Sequence, residues 1–202
     1  MAATTKPQRQ RVPAAERRDA LIEAAVEEFA RTGLHGTPVD RIAKRVGVAQ
    51  PYVFSLFPTK RELFIAAVER CFQRVMAAFD AAAASFDPAT AAADEDAMTA
   101  IGGEYTALLA RDHTLLMLQL QAYAACDDPV IRERVSTAYD RLAEHIGALV
   151  PKDRKAELVD FMAHGVWLSI RTAMGADPIA LKDEMLEMEQ LNSGRRCAKH
   201  SC

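Results

Sequence analysis

An all-α fold follows from three observations on the 202-residue chain. Apolar residues recur at three- and four-residue steps along most of its length, alanine is abundant while aromatics are scarce, and no segment shows the alternation of a strand. The length suits one large domain, or a small one followed by a larger one. The N-terminus "MAATTKPQRQRVPAAERR" is basic but carries no apolar core of a secretory signal. No apolar run approaches the ~20 residues of a membrane span. These features and the four scattered cysteines, Cys71, Cys126, Cys197 and Cys202, lead us to expect reduced thiols, a cytoplasmic location and no membrane partner.

The first helix is expected from Ala14. Leu21, Ile22, Ala25, Val26 and Phe29 form one apolar stripe, and "RTGLHG" ends it with two glycines suited to positive φ. "TPVDRIAKRVG" reads as a short second helix. Thr37 is expected to cap it, Pro38 to fill the first helical position, and Asp40 to complete a capping box. Val39, Ile42, Ala43 and Val46 supply its buried face, and Gly47 stops it. A third short helix is expected from about Ala49 to Leu56, with Pro51 in the first turn, where a backbone N–H has no intrahelical partner. "TKRE" is a second capping box, Thr59 with Glu62, opening a long helix that buries Leu63, Phe64, Ala67, Val68, Cys71, Phe72, Val75 and Phe79. "SFDPATAAADEDA" reads as a loop. Helical patterns then run over roughly 97–110, 113–126, 129–149, 152–175 and 178–191, punctuated by Asp112, Asp127–Pro129, Pro151 and Asp177–Pro178.

The charge is uneven. Residues 1–70 hold 12 Lys/Arg against 8 Asp/Glu, whereas the remainder holds 13 against 20. A basic front end on an acidic body suits a polyanionic partner. The short second and third helices around a Gly-centred turn describe a helix-turn-helix. Val53 and Phe57 are expected to hold the third helix by its apolar side, and Phe54 to pack with them. The first turn then projects Gln50, which can pair with adenine, and Tyr52, which can meet a thymine methyl or a phosphate.

The stretch "TPVDRIAKRVGVAQPYVFSLFPTKREL" resembles the DNA-binding region of the TetR family of transcriptional repressors. The resemblance runs from about Arg17 to Phe72. It implies a double-stranded DNA operator, a homodimer, and a C-terminal helical region that binds a small apolar or amphipathic effector. By position it implies that Thr37 and Pro38 set the second helix's N-terminus against a phosphate. Gln50, Pro51, Tyr52, Phe54 and Ser55 would lie on the DNA face. Lys60 would meet the DNA backbone, with Arg41, Lys44 and Arg45 as further phosphate candidates. Phe54 stands where the family commonly has Tyr, Leu56 where it often has His, and Ala49 where Ser often caps. The implied organisation is a basic arm at 1–13, a helix-turn-helix domain at 14–58, a regulatory and dimerisation domain at 59–191 and a disordered tail at 192–202.

In the body, "HTLLMLQLQAYAACDD" is apolar nearly all round and is expected to be central. Met117, Leu120, Gln121 and Tyr123 on it, with Met76, Phe79 and Tyr105, are candidates either for a pocket or for ordinary core. "RKAELVDFMAHGVWLSIRTAMGA" carries Phe161, Trp167 and Ile170 among small residues, and suits either a dimer interface or internal core. His164 is expected to be buried there. The arm with Lys6, Arg9, Arg11, Arg17 and Arg18 could reach the minor groove or merely solubilise. "CAKHSC" could hold a soft metal or be a plain polar tail. No catalytic constellation, phosphate loop or cofactor motif is visible, so neither an enzyme nor a cofactor is expected.

Overall fold

The computed structural model describes residues 13–87, 89, 96–150, 156–181 and 184. Among them are eight helices: α1 (Ala14–Gly36), α2 (Val39–Val46), α3 (Gln50–Leu56), α4 (Lys60–Ser85), α5 (Ala97–Arg111), α6 (His113–Ala124), α7 (Pro129–Leu149) and α8 (Leu158–Ala173). A further helical turn covers 178–181. The described residues hold no strand. The arm at 1–12, most of the 88–95 loop, residues 151–155 and the Cys/His tail lie outside the described residues.

Side-chain caps start four of these eight helices, α4 to α7. Thr59 Oγ1 accepts from the Glu62 N–H at 3.1 Å, as the TKRE pattern requires. Asp96, Asp112 and Asp128 likewise accept from first-turn N–H groups of α5, α6 and α7. The expected box at α2 does not form. Its N-cap is Pro38, with no side-chain cap, and Thr37 is fully buried. Thr37 Oγ1 instead lies 2.7 Å from the Gly33 carbonyl and 3.1 Å from the Glu28 carbonyl, both on α1. A buried hydroxyl must find partners, and this one has those two carbonyls and Thr32 Oγ1, at 2.7 Å, within reach.

α1 is interrupted at Gly33, whose φ of 66° and ψ of −176° are non-helical. Gly36 does not adopt positive φ, contrary to the expectation from its position in RTGLHG. α1 packs against α4 and α6, α4 also meets α5 and α7, and α8 lies on α5, α6 and α7. Phe29 of α1 and Phe64 of α4 meet edge to face at 5.0 Å. One continuous apolar core runs from Leu21 on α1 through Val53, Phe64 and Leu118 to Ile146 on α7. The helix-turn-helix therefore shares its core with the body instead of sitting on a linker.

Candidate DNA-binding surface and effector cavity

α2 ends where Gly47 takes φ 71° and ψ 36°. Gly47 N–H donates to Lys44 O at 3.1 Å and Val48 N–H to Ala43 O at 3.0 Å, a Schellman-type ending. The chain then turns through Val48 and Ala49 and starts α3 at Gln50. Pro51 falls in the first turn of α3, as its missing N–H demands. Val53 and Phe57 are buried, so α3 is held by one side. The guanidinium of Arg18 lies over the Phe57 ring, 4.8 Å from its centroid.

The opposite side is open. Gln50, Pro51, Tyr52, Phe54 and Ser55 are all exposed, with Tyr52 at 37% and Phe54 at 39%. Phe54 therefore does not help Phe57 anchor the helix. It stands beside Tyr52 on the outer face, because its position is one residue from Val53 and projects about 100° away from it. Ser55 Oγ donates to the Tyr52 carbonyl at 2.7 Å.

The cationic candidates differ in freedom. Glu28 is almost fully buried on α1, and α2 brings Arg41 to 3.5 Å and Arg45 to 3.2 Å from its carboxylate. Arg45 also pairs with Glu27. Lys44 is more exposed and pairs with Asp40 one turn earlier at 2.6 Å. Lys60 Nζ donates to the His35 carbonyl at 3.2 Å, and partial burial lowers its pKa by desolvation. Arg61 pairs at 3.1 Å with Asp128, the N-cap of α7. Desolvation alone would raise the Asp128 pKa. Hydrogen bonds from Ile131 N–H, Arg61 and Val130 N–H outweigh it and hold the carboxyl below its ordinary value.

A cavity of about 90 Å³ opens between the C-terminal part of α4, at Phe79, and helices α5 to α8. Four of the seven residues expected there line it: Phe79, Tyr105, Leu120 and Tyr123. Met76 and Met117 pack on the main core instead, and Gln121 points the other way, against Gly33 of α1. Phe161 and Ile170, expected at a dimer interface, line the cavity from α8 with Met162, Gly165, Val166 and Ser169. Tyr139, Leu142 and Ile146 of α7 complete one wall and Gln119 of α6 another. The α7 residues sit three and four apart on the amphipathic stripe of PVIRERVSTAYDRLAEHIGAL, which was the available signal for them.

The cavity has one polar end. Tyr105 OH lies 3.0 Å from Gln119 Oε1 and 2.7 Å from Ser169 Oγ, and Ser169 Oγ lies 2.8 Å from the Gly165 carbonyl. Burial pushes the Tyr105 phenol up to about 12 and raises Tyr123 and Tyr139 as well. Cys71, behind this end, is fully buried, with its thiol also pushed up to about 12. It is an inert core residue. No His, Cys, Asp and Glu cluster fit for a metal occurs among the described residues. No helix there is long and apolar enough to cross a membrane.

The outer face of α8 is apolar and open: Val159, Val166, Trp167, Ile170 and Met174 are exposed, Val159 and Met174 at 76% and 77%. His164 is exposed on the same helix, not buried as its apolar neighbours suggested.

Residues 21–67 match the family model described as bacterial regulatory proteins, tetR family. Residues 21–67 thus carry a TetR-type DNA-binding region. Over 60 residues it is 42% identical to the HTH-type transcriptional activator FasR of Mycolicibacterium smegmatis, and over 69 residues 33% identical to the HTH-type transcriptional regulator RutR of Escherichia coli K12. These matches take in 30% and 34% of this chain, and 27% and 32% of those proteins. The crystal structure of the transcriptional regulator FadR from Bacillus subtilis, in complex with stearoyl-CoA, superposes with a TM-score of 0.68. That superposition covers 84% of this chain and 96% of FadR at 18% identity, a likeness of fold. The TetR-type match ends within α4, so the family model covers the helix-turn-helix and not the cavity.

Proposed function

We propose that this chain is a sequence-specific, DNA-binding transcriptional regulator of the TetR family that acts in the cytoplasm as a homodimer. In this reading it is a repressor released from a pseudo-palindromic operator by a small apolar or amphipathic effector. The observation that carries the reading is α3: seven residues long, fixed by Val53 and Phe57, with Gln50, Tyr52 and Phe54 facing out. A helix held only by its inner side can enter a major groove with its outer side intact. The family-model match over residues 21–67 takes in the whole of this helix.

In a dimer the two α3 helices would read half-sites about 34–36 Å apart. The open apolar face of α8 supplies a surface for the partner. Pro38 is exposed at the start of α2, and the N–H groups of that first turn would face the phosphate, whereas fully buried Thr37 would act only by fixing that turn to α1. Arg41, Lys44 and Lys60 would meet phosphates by exchanging their present partners. Effector control is supported by the cavity and by FadR, whose structure holds stearoyl-CoA. α6 offers the route. Gln119, Leu120 and Tyr123 line the cavity while Gln121 of the same helix abuts Gly33, next to the start of α2. A coupling of ~1–3 kcal/mol through such a helix would change operator affinity several-fold to ~100-fold.

The test is selection of bound DNA from a random pool, followed by titration of the enriched site with variants. Gln50→Ala and Tyr52→Ala should narrow the gap between the enriched site and random DNA. Lys60→Ala should weaken both alike. A Tyr52→Ala protein that keeps wild-type preference would remove α3 from the recognition role.

A further inference from the structure

The cavity wall carries no Lys, Arg, His, Asp or Glu. The cavity is small, about 90 Å³, and is partly open, with Val166 and Ile170 of its wall exposed, so it encloses only the inner part of a guest; a charge on that part would lose its hydration and gain no counter-charge. Five aromatic rings, Phe79, Tyr105, Tyr123, Tyr139 and Phe161, form much of the lining. Phe79 and Tyr105 meet edge to face at 5.8 Å, and Tyr123 and Tyr139 at 6.4 Å. Such pairs leave ring faces and edges available to a flat guest. Three of the chain's four tyrosines stand here, so the wall is aromatic and hydroxyl-bearing rather than aliphatic.

The polar end is short of protons. Tyr105 OH and Ser169 OH bring one proton each, yet they serve three contacts: Tyr105 to Gln119 Oε1, Tyr105 to Ser169 Oγ, and Ser169 to Gly165 O. When Tyr105 donates to Gln119 and Ser169 to Gly165, the two hydroxyl oxygens face each other with lone pairs only. A guest that donates a proton to this pair completes it. A guest that offers only an acceptor competes with Gln119 for the Tyr105 proton.

From this geometry we infer that the cavity takes an uncharged aromatic molecule bearing a hydroxyl, its rings among Phe79, Tyr123, Tyr139 and Phe161 and its O–H donated to the Tyr105–Ser169 pair. The inference rests on the reading of this cavity as the effector site. It adds the chemical class: a neutral phenol-like compound, as opposed to a carboxylate, an ammonium ion or a simple alkyl chain.

Four probes on one skeleton separate the possibilities by calorimetric titration of the full chain at neutral pH: 2-naphthol, 2-methoxynaphthalene, 2-naphthoate and 2-(aminomethyl)naphthalene. 2-Naphthol should bind tightest. 2-Methoxynaphthalene, which lacks the donor, should bind about threefold to tenfold more weakly. The two ions should be weaker still, by more than about tenfold. Tyr105→Phe and Ser169→Ala should each erase the advantage of 2-naphthol over its methyl ether while leaving the ether bound. Gly165→Leu fills the space beside Tyr105, whose ring lies 3.7 Å from where a Cβ would stand at Gly165, and should weaken all four probes.

An ion that binds as tightly as 2-naphthol, and is displaced by Gly165→Leu, would overturn the class and leave the cavity as the effector site. Binding that a folded Gly165→Leu protein retains in full would overturn the cavity reading itself, and the class with it. So would the failure of all four probes to bind the wild-type chain. Unchanged preference for 2-naphthol in Tyr105→Phe and Ser169→Ala would overturn the role of the hydroxyl pair.

Discussion

Gly33→Ala is expected to be among the costlier single-methyl additions in this chain. At Gly33 the backbone has φ 66° and ψ −176°, a region that essentially only glycine occupies. Holding alanine there costs about 1–3 kcal/mol. The added Cβ would also stand 2.3 Å from Gln121 Oε1 and 3.1 Å from its Cδ, so the Gln121 side chain must move. Displacing a half-buried amide from a packed interface adds about 1 kcal/mol. The sum is about 2–4 kcal/mol, or a fall in Tm of roughly 4–16 °C for a chain of this length. Gly47→Ala is the control. Gly47 has φ 71° and ψ 36°, and nothing lies within 4 Å of its would-be Cβ, so its cost should be about 1–2 kcal/mol of left-handed strain alone. Urea denaturation followed by far-ultraviolet circular dichroism measures both. In the Gly33→Ala background, Gln121→Ala should recover part of the loss, giving a favourable coupling of ~1 kcal/mol. A Gly33→Ala protein no less stable than Gly47→Ala, or one that gains nothing from Gln121→Ala, would show that the kink is not pinned by Gln121.

Three further outcomes are expected. Arg45→Ala should destabilise the fold by about 1–2 kcal/mol, because it strips a partner from buried Glu28, whereas Lys44→Ala, which breaks an exposed pair with Asp40, should cost less than about 0.5 kcal/mol; chemical denaturation of the two variants makes the comparison. Val159→Glu with Met174→Glu should leave monomer stability near wild type, since both side chains are exposed, but should lower the dimer fraction in sedimentation velocity if α8 forms the partner surface. Alkaline pH should weaken the fold through Tyr105. Its folded pKa lies above the ordinary value of 10.0, at about 12, so its contribution is complete below pH 10 and is lost as pH rises towards 12. Tyr105→Phe should flatten that part of the stability–pH profile.

The helix ends were legible because they depend on neighbours in sequence. Thr59, Asp112 and Asp128 sit where their side chains can reach an N–H two or three residues on, and each does. Thr37 satisfies the same local rule and breaks it, because the end of α1 folds back beside it and offers two carbonyls that a solvent-exposed cap would not meet. The rule reads only what the next turn contains. Phe54 shows the same limit from the other side: an aromatic among aromatics suggests packing, but its angular distance from Val53 puts it outside.

The cavity was half legible for a related reason. Periodicity says which residues of a helix share a face, and it leaves open what that face meets. α6 is apolar nearly all round, so it has several inward faces. Gln119 and Gln121 are two apart, about 200° around the helix, and must point to opposite sides. One completes the polar end of the cavity with Tyr105, and the other abuts the kink at Gly33. Nothing between His113 and Ala124 distinguishes them; the difference lies in Gly33, nearly ninety residues earlier, which lacks the Cβ that would exclude Gln121. α8 raises the same problem on its two sides. Phe161 and Trp167 are both large and apolar, and six residues apart they diverge by about 120°. Phe161 therefore faces Gly102 and the cavity while Trp167 faces outward beside Arg171. The missing methyl groups at Gly33 and Gly102 are thus what assign Gln121 and Phe161 their places, and they act from helices that no local window over α6 or α8 includes.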